Sequence, residues 1–168
     1  MQESFNQQNN IAKDSLIRLA EMLVQETNRI LEEAKSEEDL RIGFEKLLDP
    51  IRSSLNITIT PKYEKTVYTG RSDALHGHLI IEYEPPRSLK VERNFAHATE
   101  QLMNYIIDES QDTAINKLVG VGFDGETIFF VQYQDINIEE IDRSKFVIRG
   151  PYIFNQESAR TFLIHLRA

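Results

Sequence analysis

The chain has 168 residues, 40% of them hydrophobic and 27% charged, with a formal net charge of −8 and no cysteine. That content supports one domain, or one domain with an appendage, and excludes global disorder, a disulfide framework, a thiolate metal site and a cysteine nucleophile. The acidic balance weighs against a simple nucleic-acid-binding module, and only mildly against a site that must itself be acidic to hold a divalent metal.

No apolar run reaches the length of about 18 residues that a membrane span needs, and the polar start MQESFNQQNN resembles no signal peptide. The expectation is a cytoplasmic protein that does not enter a membrane.

Residues 1–10 form a polar run expected to fray. From Ile11 to Lys35, apolar residues recur at helical steps through Leu16, Leu19, Leu23, Ile30 and Leu31. We read residues 1–35 as an N-terminal helical extension, for packing or dimerisation, and 36–168 as the main domain. Ser36 can cap a second helix with Glu37, Glu38 and Asp39 in its first turn, running to about Ser53 with Pro50 near its end.

The period then changes to two. Ile57, Ile59 and the stretch Tyr63–Tyr68 read as a strand or a bent pair, and Arg71–His76 and Leu79–Glu84 as a hairpin that Pro85-Pro86 stops. A helix follows over Val91–Asp108, then a second hairpin of Lys117–Phe123 and Thr127–Tyr133 around Asp124-Gly125. Asn137–Ser144 is an acidic loop or short helix, and Phe146–Phe154 is extended. Asn155 or Ser158 can cap a last helix, which meets no stop signal before Ala168. We therefore expect an N-terminal piece of a longer protein. The order predicts an α/β (α+β) domain, a mixed central sheet flanked by helices.

The informative stretch runs from Gly70 to Glu84. Asp73, Glu82 and Glu84 sit in or beside an otherwise apolar hairpin, where buried ionised carboxylates are costly unless paired or bound to metal. Glu82 and Glu84 are two apart on a strand and share a face, roughly 6–7 Å apart. Gly77 at the first position of a two-residue loop favours a type II′ turn, which pairs His76 with Leu79. Counting back, Asp73 falls opposite Glu82, with Cβ atoms about 4.5–5.5 Å apart, and Arg71 opposite Glu84. Asp73 and Glu82 can then grip one hard cation, Mg²⁺ or Mn²⁺, with Glu84 or a nearby lysine placed to orient or deprotonate a water. The expected chemistry is hydrolysis of a phosphodiester. A basic patch of Lys62, Lys65, Arg71, Arg87, Lys90 and Arg93 lies in the same third of the chain and is the candidate phosphate-binding surface.

Gly-Arg-x-Asp followed by Ile-Ile-Glu-x-Glu at a strand end resembles the core of the PD-(D/E)XK nucleases. The next helix carries Gln101 and Tyr105, similar to the Gln-x-x-x-Tyr motif of the RecB-like branch, whose helix lies beside the metal site. The resemblance covers roughly residues 36–133. It implies a restriction-endonuclease-like fold, a DNA substrate and a further glutamate on the preceding helix. Glu37 is the choice, and Glu38 and Glu45 compete. Glu84 departs from the family, which usually has lysine there. Some similar restriction endonucleases with glutamate at this place cleave, and others that lose the lysine are inactive. Lys62, Lys65 or Lys90 could supply the cation. The wording around Glu-Tyr-Glu-Pro-Pro-Arg-Ser-Leu is similar to the nuclease part of restriction–modification polypeptides that continue into an adenine-specific DNA methyltransferase. Cleavage of duplex DNA would imply a homodimer on the substrate.

Plainer readings stand beside these. The three carboxylates can be the solvated face of an edge hairpin, although Leu79-Ile80-Ile81 implies cover on both faces. His76 and His78 can be loop residues rather than ligands, Tyr105 can be core with Gln101 exposed, and Glu37–Asp39 can be helix-terminal charges alone. A non-catalytic module of the same fold is the first rival function. A glycosidase using paired carboxylates is the second, disfavoured by the lack of tryptophan. Gly120-x-Gly122 opens no helix and fails as a dinucleotide site.

Overall fold

A computed structural model describes residues 2–67, 70–135 and 139–168, and the side chains of 13–63 and 73–168 within them. The described residues form an α+β arrangement. A six-stranded mixed sheet is built from β1 (Lys62–Val67), β2 (Gly70–His76), β3 (Leu79–Tyr83), β4 (Val119–Phe123), β5 (Thr127–Tyr133) and β6 (Phe146–Ile153), in sequence order across the sheet. All neighbours are antiparallel except β3 and β4. That parallel pair needs a crossover, and α3 (Glu92–Glu109) is the helix within it.

Alternation along the strands sorts the core into two layers. Leu79, Ile81, Tyr83, Val121, Phe123 and Phe130 point to one face, where α1 (Gln2–Glu33), α2 (Glu37–Ser54) and α4 (Gln156–Arg167) bury Leu23, Phe44, Leu48 and Phe162 against them. Leu75, Ile80, Phe129 and Val131 point to the other face, under Ala98, Leu102, Tyr105 and Ile106 of α3. β3 is therefore buried along its whole length, as the run Leu79-Ile80-Ile81 implied. α1 contributes Leu16, Ala20, Leu23 and Leu31 to the same core as the sheet.

Several local expectations meet their physical outcome here. Ser36 caps α2 by accepting from the Asp39 amide, and Pro50 is accommodated inside that helix. Asn155 caps α4, and Ser158 answers it through a reciprocal capping box. His76 pairs with Leu79 across Gly77-His78, and Gly77 has φ +65°. The second hairpin turns between Phe123 and Thr127, as expected. The Asp124 amide donates to the Thr127 carbonyl at 3.2 Å, which closes the turn over Gly125-Glu126, with Gly125 at φ +87°.

Two expectations are corrected. Helix α1 begins at Gln2, not near Ile11, because extending a helix already packed at Leu16–Leu31 costs little once nucleated. Residues 57–61 are not strand, and β1 starts at Lys62, just after Pro61, which lacks the N–H a strand would need. Gly120 and Gly122 serve close packing. A Cβ at Gly120 would come within 3.2 Å of Leu102 and Ile106, and one at Gly122 within 2.0 Å of the Phe129 ring. The short helix considered for Asn137–Ser144 falls partly outside the described residues. Arg143–Lys145 forms a single 3-10 turn.

Candidate active site

The candidate site forms where β2 and β3 part. Their register runs His76↔Leu79, Leu75↔Ile80 and Ala74↔Ile81, and stops there. Beyond it, the Tyr83 amide donates to Asp73 Oδ2 at 2.8 Å, and the Glu84 amide donates to the Phe123 carbonyl at 2.9 Å. β3 thus stays with β4 while β2 stays with β1. This corrects the counted register. Asp73 and Glu82 are not a ladder pair, and Arg71 pairs with Thr66 of β1 instead of standing opposite Glu84. A carboxylate of the first strand occupies the gap through which the ladder would have continued.

The two strand ends, α2 and α3 then converge. Glu82 lies on the α3 face of β3, is 6% exposed, and leaves Oε2 buried without a hydrogen-bond partner. Burial pushes its carboxyl up to about 9, and the nearby charges of Asp73, Glu84 and Glu37 push the same way. Glu84, half-buried just past the strand, is pushed up to about 7 by burial and then by Glu37, Asp73 and Asp124. Glu37, in the first turn of α2, is raised by burial and by Asp73, and lowered by Arg41. Four carboxylates from three elements therefore act on one another. Such a group carries more negative charge than it can stabilise alone, and one or more of its members holds a proton at neutral pH.

α3 walls the site. Tyr105 is buried, and its hydroxyl is raised by burial and by the charges of Glu82 and Asp73, while a hydrogen bond from Gln101 lowers it. Tyr105 is both a core residue and a member of the site's field. Gln101 reaches the same point from one turn earlier.

The remaining candidates divide. Glu38 is exposed, 3.8 Å from Arg41. Glu45 is buried on the opposite face of the sheet. Arg87 projects from the turn after β3, with φ +62°, and pairs with Glu126 at 3.2 Å. Lys62, Lys90 and Arg93 are exposed, whereas the side chains of Lys65 and Arg71 lie outside the described residues. His78 bonds the His165 carbonyl at 2.9 Å, at the other end of the hairpin from the carboxylates.

One contributor escaped sequence reasoning. Asp124 is fully buried, accepts from the Leu89, Glu126 and Thr127 amides, and ties the loop after Glu84 to the β4–β5 turn. In the sequence, its Asp-Gly pair signals a turn and nothing more.

Among the described residues, no three His, Asp or Glu side chains stand as a ready-made ligand set. No family model, characterised protein or solved structure matches the chain. Among the described residues, no helix is long and apolar enough to cross a membrane.

Proposed function

We propose that this chain is a metal-dependent phosphodiesterase domain, a DNA endonuclease of the PD-(D/E)XK type with a restriction-endonuclease-like fold. The observation that carries the reading is Glu82, a nearly inaccessible carboxyl with an orphaned oxygen and three other carboxylates around it. Structural carboxylates in interiors have donors or cationic partners. A divalent cation would complete this one, and the oxygen-only donor set suits a hard ion such as Mg²⁺ or Mn²⁺.

Asp73 and Glu82 would hold the ion, and Glu37 would complete the negative field. When bound, the ion polarises a phosphoryl oxygen and makes an attacking water more acidic. The other roles belong to the chain. Glu84, half-buried with its carboxyl raised to about 7, accepts the proton of the attacking water near neutral pH. Gln101 and Tyr105 hold one wall of the site and fix its polarity. Arg87, Lys90, Lys65 and Arg71 are the candidates for phosphate contacts. DNA as substrate, a role in restriction–modification, a methyltransferase partner domain and dimerisation on the duplex rest on the sequence resemblance around Gly70–Tyr105.

A second reading has a specific observation behind it. Glu84 stands where the resemblance expects lysine, and the carboxylates are not preassembled as a ligand set. Both suit a non-catalytic module that keeps the fold for DNA binding or assembly. Plasmid cleavage with Mg²⁺ and with Mn²⁺, beside Glu82→Ala, separates the two. Metal-dependent nicking absent from the variant supports the nuclease. No nicking, with no Mn²⁺ binding by calorimetry, supports the module.

A further inference from the structure

Behind the carboxylate group, on the α2 face of the sheet, lies a second buried polar cluster. Glu45 of α2 is 7% exposed. Its carboxylate accepts from the Tyr83 hydroxyl at 2.6 Å and lies 3.0 Å from His76 Nε2. The Tyr63 hydroxyl, raised to about 12 mainly by burial and the Glu45 charge, also bonds Glu45. His76 Nδ1 is buried with no partner. A proton there would be an unsatisfied buried donor, so Nε2 carries the proton and donates to Glu45.

The cluster joins α2 to both strands of the parting hairpin. Tyr83 lies between Glu82 and Glu84 in the chain, and its own amide holds Asp73. Its ring is 1% exposed and packs against Phe44 and Phe123. Glu37 sits two turns before Glu45 on the same helix. One carboxylate therefore ties together the elements that deliver Glu37, Asp73, Glu82 and Glu84.

We propose that Glu45, acting through the Tyr83 hydroxyl and His76, is a positioning residue that sets the spacing of the carboxylate site across the sheet. The proposal deepens the reading of that site as a metal-dependent hydrolase and rests on it for its catalytic consequence. Glu45 itself touches neither substrate nor metal. Its effect is transmitted by the backbone of residues 82–84, and small misplacements at a reacting centre are costly.

Tyr83→Phe tests it with little change in packing, since only the hydroxyl is removed. Two readouts are taken: steady-state plasmid cleavage with Mn²⁺, and amide hydrogen exchange at residue 83 relative to Val121 in the neighbouring strand. The expected result is a loss in kcat on the order of tenfold with KM little changed. Exchange at residue 83 should quicken while Val121 is unaffected. Glu45→Gln, which keeps an acceptor for Tyr83, should restore most of what Glu45→Ala loses. Unchanged kcat and unchanged exchange at residue 83 in Tyr83→Phe overturn the proposal and leave the hydrolase reading intact. If the wild-type protein neither cleaves nor binds Mn²⁺, the hydrolase reading fails. Exchange at residue 83 then decides the positioning role by itself: selective quickening supports it and no change overturns it.

Discussion

Asp73 takes the Tyr83 amide for its own side chain, with 2.8 Å between Oδ2 and the nitrogen. The bond falls just past Ala74↔Ile81, the last pair of the β2–β3 register. A side chain acceptor in the ladder lets the two strands part without leaving an N–H unpaired. The parting lies beside Glu82 and Glu84, whose carboxyls feel the Asp73 charge. Asp73 therefore has a backbone role and an electrostatic one, and substitution can separate them.

Asp73→Asn keeps an oxygen for the Tyr83 amide and removes the charge that raises Glu82, Glu84 and Glu37. It should fold with an unchanged or raised Tm and, under the hydrolase reading, lose metal-dependent cleavage by at least about a hundredfold, because a proposed metal ligand has lost its charge. Asp73→Ala should lose cleavage equally and also cost about 1–3 kcal/mol for the orphaned amide. Thermal melts beside plasmid cleavage check both. Cleavage retained by Asp73→Asn would remove Asp73 from the proposed metal site.

The metal-free protein should lose stability as pH rises. The Glu82 carboxyl stands near 9 in the folded chain against 4.5 ordinarily, so the folded state binds the extra proton. Where the folded state binds more protons than the unfolded one, unfolding free energy falls with pH. The decline should begin near pH 4.5, be steepest up to about 7 while both Glu82 and Glu84 hold extra protons in the folded state, become shallower where Glu82 alone does, and level off above about 9. Its size is of the order of a few kcal/mol. Glu82→Gln should flatten it, and urea unfolding in EDTA between about pH 5 and pH 9 measures the difference. A wild-type curve as flat as that of Glu82→Gln would mean that the carboxyl is not buried as described.

Gly122 stands beside Glu82 in the parallel register. A Cβ there would lie 2.0 Å from the Phe129 ring, which is fully buried and cannot yield without disturbing the α3 layer. Gly122→Ala should destabilise the domain by about 1–3 kcal/mol or more, the range for overpacking a core. Gly120→Ala meets only side-chain carbons of Leu102 and Ile106 at 3.2 Å and should cost less. Chemical denaturation of the pair checks the order, and equal stabilities would refute the packing account.

The repeating elements, and the residues the candidate site brings together, were legible because each has a local cause. Helical period and caps located α2, α3 and α4, and one glycine located the Gly77-His78 turn and with it the Leu75↔Ile80 register. Helical spacing also put Gln101 beside Tyr105, and Glu37 was selected from the core-facing stripe of α2. What counting could not reach is set by competition between strands. The hairpin ends at Ala74 because β3 has a better continuation along β4, and no local pattern reports the choice made by Glu84 N–H. Glu45 was weighed as a site glutamate. Its partners, Tyr83 and His76, lie more than thirty residues away, and only the folded sheet brings them to it.

Glu84 departs from the nuclease pattern that the stretch around it resembles. Its carboxyl is raised first by burial, which disfavours either charge, and then by Glu37, Asp73 and Asp124, which favour a cation over an anion. In Glu84→Lys the long side chain can keep its ammonium at the half-exposed edge while facing the remaining carboxylates. One repulsive charge becomes an attractive one, and a cation beside an acid lowers that acid by about one to three pKa units. The variant should therefore be more stable than wild type near pH 8 in EDTA, with a shallower pH dependence. Under the hydrolase reading it should also cleave at a rate at least equal to wild type, since lysine is the group the resemblance expects there. Stability gained with cleavage lost would assign proton transfer to the Glu84 carboxylate itself. Stability unchanged at pH 8 would show that residue 84 does not feel Glu37 and Asp73, and the four-carboxylate description would fall with it.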